Sequence, residues 1–297
     1  MNTQLNQLCI LYGKALQQEL NNLLDTFQFL SKEEIEHYKS MNIGIIAANL
    51  YPDAQFERLQ TISRLLLWML LCKDVYSFYS SKQLKPIHQC YLLAFEGKPN
   101  AACDDELCML IQTLGAEVRK FASTSCWYRF IFHFNDYLKG IRWMTDIKQS
   151  TVCPVFSKYI VQCEQYSFTH MLIDFMEIAI GAPLSTNILH SSLYQRHINI
   201  SNRALMISME LQPRDQFPGS LRWNFEDCLS KKQQLSYQVA FHDLENLRTK
   251  LLEENLRQQE ELQGVFRREK LLDEYLLTFQ QMIYSLSPDW NNNIDIS

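Results

Sequence analysis

Residues 49–79, NLYPDAQFERLQTISRLLLWMLLCKDVYSFY, run apolar at helical spacing and then stop on Lys73 and Asp74. A carboxylate is a hard oxygen ligand of the kind magnesium favours. The lysine beside it either pairs with the acid or carries its charge out to solvent. Two other acidic clusters carry less chemistry. Asp104-Asp105-Glu106 follows the Gly97-Lys98-Pro99-Asn100 turn and opens a helix, where acids cap the first turn and complement its dipole. Asn135-Asp136 lies inside a long apolar helix. The nine cysteines include no CxxC pair and sit mostly among apolar neighbours, which reads as buried thiols in a reducing compartment. The chain contains no glycine-rich phosphate loop, no GxSxG elbow and no HExxH.

The elements that must position these residues are helices. Hydrophobic residues make up 47% of the 297 and charged residues 21%, a globular composition with enough to bury. Eight glycines and eight prolines favour long helices over many turns. Helical periodicity predicts helices over 5–30, 33–50, 54–80, 84–96, 104–123, 125–147, 156–181, 188–212, 220–232 and 235–285, separated by Gly- and Pro-bearing turns. In the last of these the leucines drift out of heptad register and are interrupted at Gly264. That pattern fits two amphipathic helices on one body better than a free coiled coil. No repeat or low-complexity linker divides the chain, so one all-helical domain over residues 1–297 is expected. A net charge of −5 gives no basic footprint for nucleic acid. The N-terminus lacks a signal-peptide pattern, and the longest apolar run, 65–72, is too short to span a bilayer. A cytoplasmic location is expected.

Five pieces, taken in order, resemble the microbial class I terpene synthases. They are MNIGIIAANLYPDAQFERLQTISRLLLWMLLCKD from Met41; WYRFIFHFNDYLKGIRW, Trp127 to Trp143; Tyr159 with Glu177, Gly181 and Leu184; the Asn202 to Asp215 region; and Trp290 near the C-terminus. The resemblance covers most of the chain. It implies an all-α class I terpenoid-synthase-like helical bundle around a central apolar cavity. It further implies Mg2+-dependent ionisation and cyclisation of a prenyl diphosphate, of the farnesyl or geranyl class. Magnesium and basic side chains would take up the leaving group's charge, and aromatic walls would shelter the cation.

At the polar positions of that family pattern the chain departs. The family's aspartate pair falls on Lys73 and Asp74, and its third acid on Ser77 or Phe78. The second metal motif falls on Asn202, Met206 and Glu210, where spacing by four puts all three on one helix face but makes the middle ligand a thioether. A competing register places it on Ser208, Gln212 and Gln216. The diphosphate-sensing arginine falls on Cys163, which lacks a guanidinium's fixed charge, and the C-terminal Arg-Tyr pair falls on Ile296 and Ser297. The resemblance therefore points to Asp74, Lys73, Asn202 and Glu210 as catalytic candidates. Asp74, Asn202 and Glu210 are candidate ligands for Mg2+, and Trp68, Cys163, Phe168 and Met206 candidate substrate contacts. The alternative is a descendant that has lost catalysis and binds an isoprenoid or a protein partner. Oligomeric state is left open.

Overall fold

The computed structural model describes residues 3–98, 105–150, 154–211 and 237–286, and these contain thirteen α-helices and no strand. In chain order they are α1 Thr3–Leu24, α2 Lys32–Ser40, α3 Ile43–Leu50, α4 Phe56–Val75, α5 Ser81–Phe95, α6 Glu106–Phe121 and α7 Thr124–Gln149. There follow α8 Phe156–Tyr166, α9 Thr169–Ile180, α10 Thr186–Leu189, α11 Ser192–Glu210, α12 Tyr237–Val265 and α13 Lys270–Ser285. The helix expected over 220–232, together with Trp290, Ile296 and Ser297, lies outside the described residues.

Two expected helices are each two, and the last segment divides near Gly264 as expected. The segment 33–50 breaks at Asn42, which adopts φ 54, a left-handed conformation that asparagine tolerates. The segment 156–181 breaks at Phe168, with φ 53, an uncommon conformation for a bulky side chain. The segment 235–285 ends its first helix at Val265, one residue after Gly264, and resumes at Lys270. Cys108 is disulfide-bonded, which departs from the expectation of thiols throughout, whereas Cys9, Cys72, Cys90, Cys126 and Cys163 are free.

The chain divides into two compact units. The first comprises Met1–Ser77, Gln83–Ile131 and Asp174–Ala182. Its axis is α4, buried on almost every side because its apolar residues encircle the helix; α1, α3 and α6 pack around it. Trp68 is fully buried, donating its indole N–H to the Leu107 carbonyl (2.8 Å) and meeting Tyr91 edge-on at 5.3 Å. Phe95 stacks between Trp127 and Phe130.

The second unit comprises Phe78–Lys82, Phe132–Ile173 and Pro183–Ser297. Here α11 packs on α12 along its length and on α8, α10 and α13. The close pass of α7 and α8 needs a residue without a side chain: a Cβ on Gly140 would lie 2.6 Å from the Tyr166 backbone nitrogen.

Candidate functional site

In the first unit the candidate residues gather at the C-terminal end of α4. The Asp74 carboxylate accepts a hydrogen bond from the Tyr38 hydroxyl, Oη to Oδ2 3.1 Å. Tyr38 is buried on α2, whose start is fixed by a reciprocal capping box between Ser31 and Glu34. Burial, and secondarily the charge of Asp74, holds the Tyr38 phenol well above the usual tyrosine range, so it keeps its proton and stays a donor. Two residues beyond Asp74, Tyr76 lies 2.9 Å from the Tyr91 hydroxyl, which in turn reaches the Asp105 carboxylate at 3.2 Å. Asp105 also caps α6, accepting from the Cys108 amide at 2.7 Å. Its structural role is thus the capping one expected for that acidic cluster. Lys73 and Asp74 are both half-buried, and Phe78, one of the two residues on which the resemblance puts the third acid, is 94% exposed.

In the second unit the candidates lie around α8, α9 and α11. At the break between α8 and α9, the Thr169 hydroxyl donates to the Asn202 side-chain oxygen and lies 3.0 Å from the Ser167 hydroxyl. Asn202 is therefore buried and already engaged. Met206 and Cys163 are completely enclosed, and Glu210 sits half-buried in the last turn of α11. Phe168 packs edge-on against Tyr137 at 6.0 Å. Beside Asn202, Arg203 pairs with Glu164 of α8 at 2.6 Å.

The opposite face of α11 belongs to α12. Asn255 donates to Ser201 (2.6 Å) and Arg248 to Ser208 (2.7 Å), while the Ser208 hydroxyl itself donates to the Ala204 carbonyl at 2.8 Å. The two serines are seven residues apart, and so are their α12 partners. Ser208, the first residue of the competing register, is thus turned toward α12; Gln212 and Gln216 lie outside the described residues. Asn202, Met206 and Glu210 share the other face, toward α8 and α9.

The motif residues that carried the resemblance have other work in the first unit. Arg129 reaches Glu177 at 2.7 Å and Asp174 at 3.4 Å, and Ser123 donates to Glu177. Arg58 donates to the Ile178 carbonyl (2.6 Å) and fills the space beside Gly181, whose φ of 83 favours glycine. Tyr38 and Thr169 had no signal in the sequence. Their partners are 36 and 33 residues away and the contacts are tertiary.

Among the described residues, no group of three or more His, Cys, Asp or Glu side chains could hold a metal ion. A full protein cage for magnesium is not what this donor set offers. Magnesium, however, commonly binds through one or two carboxylates, with the remaining positions filled by substrate phosphate and water. Asp74, whose carboxylate accepts from the neutral Tyr38 phenol, is one carboxylate of the kind that mode uses. Asn202 is buried with its side-chain oxygen accepting from Thr169, and Met206 supplies only sulfur.

Residues 64–254 match the family model for terpene synthase family 2, C-terminal metal binding, and the chain belongs to that family. Similar solved structures include 2-methylisoborneol synthase from Streptomyces coelicolor A3(2), in complex with Mg2+ and 2-fluoroneryl diphosphate. It shares 14% identity over 95% of this chain and 91% of that one, with a TM-score of 0.81. The SVS_A2 protein from ancestral sequence reconstruction shares 16% identity over 95% and 86%, with a TM-score of 0.81. Wild-type cucumene synthase shares 11% over 95% of both chains, with a TM-score of 0.75. At these identities the likeness is one of fold, the class I terpene synthase helical fold. No curated protein matches the chain significantly. Among the described residues no helix is long and apolar enough to cross a membrane.

Proposed function

We propose that the protein binds a prenyl diphosphate of the geranyl or farnesyl class and ionises it with the help of a single divalent cation, Mg2+, at Asp74. The observation that carries this reading is Asp74 itself, a carboxylate oriented by Tyr38 at the end of a fully packed apolar helix. The family assignment supports it, as does a neighbour of the same fold that holds Mg2+ and 2-fluoroneryl diphosphate. A divalent ion bound there would take up charge developing on the leaving diphosphate. Lys73 would supply part of the charge that a second cation carries elsewhere, as a flexible point charge rather than a planar fork. Asn202 and Glu210 are secondary candidates, on the α11 face turned toward α8 and α9.

The test is incubation with geranyl, farnesyl and geranylgeranyl diphosphates and Mg2+, with diphosphate release and volatile products both followed. Release that needs Mg2+ and disappears in Asp74→Asn is expected. No release above a boiled control with any of the three substrates overturns ionisation.

A second reading rests on a different observation. The Asn202 oxygen is engaged by Thr169, and Met206 and Cys163 are enclosed, so positions that handle diphosphate in the family serve packing here. On that reading the protein holds an isoprenoid, or a protein partner, without turnover. Tight binding of farnesyl thiodiphosphate with no release of diphosphate from farnesyl diphosphate selects it.

A further inference from the structure

We propose that His197 and the chain of amides that ends on it form an acid-sensitive latch, which holds α12 and α13 on α11 and releases them when the imidazole takes up a proton. The latch does not depend on whether the protein ionises a prenyl diphosphate.

Its geometry runs from the surface inward. Gln280 of α13, exposed, donates its amide N–H to Gln259 of α12 (2.7 Å), and Gln259 donates to Asn255 (2.9 Å). The Asn255 amide nitrogen then donates to Ser201 at 2.6 Å and lies 3.4 Å from His197 Nδ1. Every amide in the chain thus gives its N–H inward. The imidazole receives a donor at Nδ1, so Nδ1 carries the lone pair and Nε2 the proton. A second proton at Nδ1 would set two donors face to face. Among the described residues Nε2 has no hydrogen-bond partner, and the Phe279 ring of α13 stands edge-on to the imidazole at 5.0 Å. Tyr194 of the same helix faces it with ring centroids 6.5 Å apart. The charged groups of the neighbouring helices are engaged elsewhere: Arg248 of α12 with Ser208, Glu254 of α12 with Gln258 and Arg257, Asp273 of α13 with Gln263, and Glu164 of α8 with Arg203. The short α10 has no ionisable side chain. Burial alone pushes the His197 pKa down, to about 4.

The face that α12 sets against α11 is itself poor in apolar groups. Among the described residues its buried side chains are Leu244, Leu262 and three amides, Asn255, Gln258 and Gln259, and Gln258 Oε1 has no hydrogen-bond partner. A segment with few buried apolar side chains opens at lower cost than the whole molecule. The far face of α11 carries Asn202, Met206 and Glu210, so release of α12 and α13 strips support from the helix that positions them.

The experiment follows amide hydrogen exchange of the full chain by mass spectrometry at pH 7 and pH 4.5, with rates corrected for the pH dependence of chemical exchange. Wild type, His197→Gln and Asn255→Asp are compared. A pKa of about 4 in the latched state against ~6.5 in the released one predicts that wild-type α12 and α13 lose protection by roughly fiftyfold at pH 4.5, while α4 and α6 keep theirs. His197→Gln accepts from Asn255 but takes up no proton, and should keep its protection. Asn255→Asp sets a carboxylate opposite the imidazolium and should also hold at both pH values, so the comparison stands if one variant fails to fold. Unchanged wild-type protection in α12 and α13 means that the amides turn round to accept the proton, and overturns the latch. So does an equal loss in α4 and α6, which makes the acid transition global, or a loss in a folded variant equal to that of wild type.

Discussion

The resemblance puts Lys73 where the family's pattern has a carboxylate, and such an exchange changes the local charge by two units. Two unit charges ~4 Å apart interact by about 4 kcal/mol at an effective dielectric of ~20, and partial exposure of Lys73 reduces this. The sign is nonetheless firm: an ammonium repels a divalent cation and a carboxylate attracts it. Lys73→Asp is expected to tighten Mg2+ binding in the presence of pyrophosphate by roughly tenfold or more, measured by isothermal titration calorimetry. Unchanged affinity would mean that Lys73 points its charge away from the cation. Glu177 makes the opposite case. Its carboxylate is buried and paired with Arg129, and truncating one partner of a buried pair costs about 3–5 kcal/mol. The Arg129 side chain is a third exposed, so the lower end applies. Glu177→Gln should lower the melting temperature by several degrees while leaving Mn2+ affinity as in wild type.

For single elements, the contact of α11 with α12 and α13 predicts a pH dependence. His197 is buried against Phe279 and hydrogen-bonded to Asn255, and desolvation pushes its pKa down to about 4. The folded state therefore holds it neutral where the unfolded chain, with an ordinary histidine pKa near ~6.5, takes up a proton. This contribution is complete above about pH 6.5 and is lost as pH falls from there toward about 4, by up to ~1.4 kcal/mol per pH unit. Melts from pH 7 to 4.5 should show a shallower acid slope in His197→Gln than in wild type. Two glycines give substitutions of opposite sign. Gly140→Ala drives a Cβ into the backbone of α8 and should destabilise by ~1–3 kcal/mol. Gly264→Ala, with nothing within 4 Å and helical backbone, should stabilise by ~0.5–1 kcal/mol. Urea titrations of the two variants check both signs. The same elements show what periodicity can and cannot reveal. Helix cores were legible, as was the interruption beside Gly264, because apolar spacing and glycine are local signals. The breaks at Asn42 and Phe168 were not, since each places a residue other than glycine in the left-handed region, which apolar spacing does not mark. The two registers of the second motif could not be separated in one dimension. The pairing of Ser208 with Arg248 on α12 places it on the face away from Asn202.

For the whole molecule, residues that carried the family resemblance hold the scaffold. Arg129, Glu177, Gly140 and Gly181 each answer to a packing or ion-pair demand of this chain's fold. Lys73, Cys163 and Met206 answer to none that requires oxygen or a guanidinium. If the proposed isoprenoid reading holds, the folded chain binds the apolar part of such a ligand, and linkage makes that measurable. A ligand that binds only the folded state stabilises it by RT ln(1 + [L]/Kd), about 2.7 kcal/mol at a hundredfold excess over Kd. For a chain of this size that raises the melting temperature by roughly 5 °C. Melting with Mg2+ alone, pyrophosphate alone, both together, and farnesyl thiodiphosphate with and without Mg2+ separates the contributions. The expected pattern is little shift with either ion alone, a small one with both, and the largest with farnesyl thiodiphosphate and Mg2+ together. If the farnesyl compound gives the same shift without Mg2+, recognition is carried by the apolar chain and the non-catalytic reading gains. If it gives no shift in either condition, the fold has kept its packing without its ligand, and the isoprenoid proposal falls.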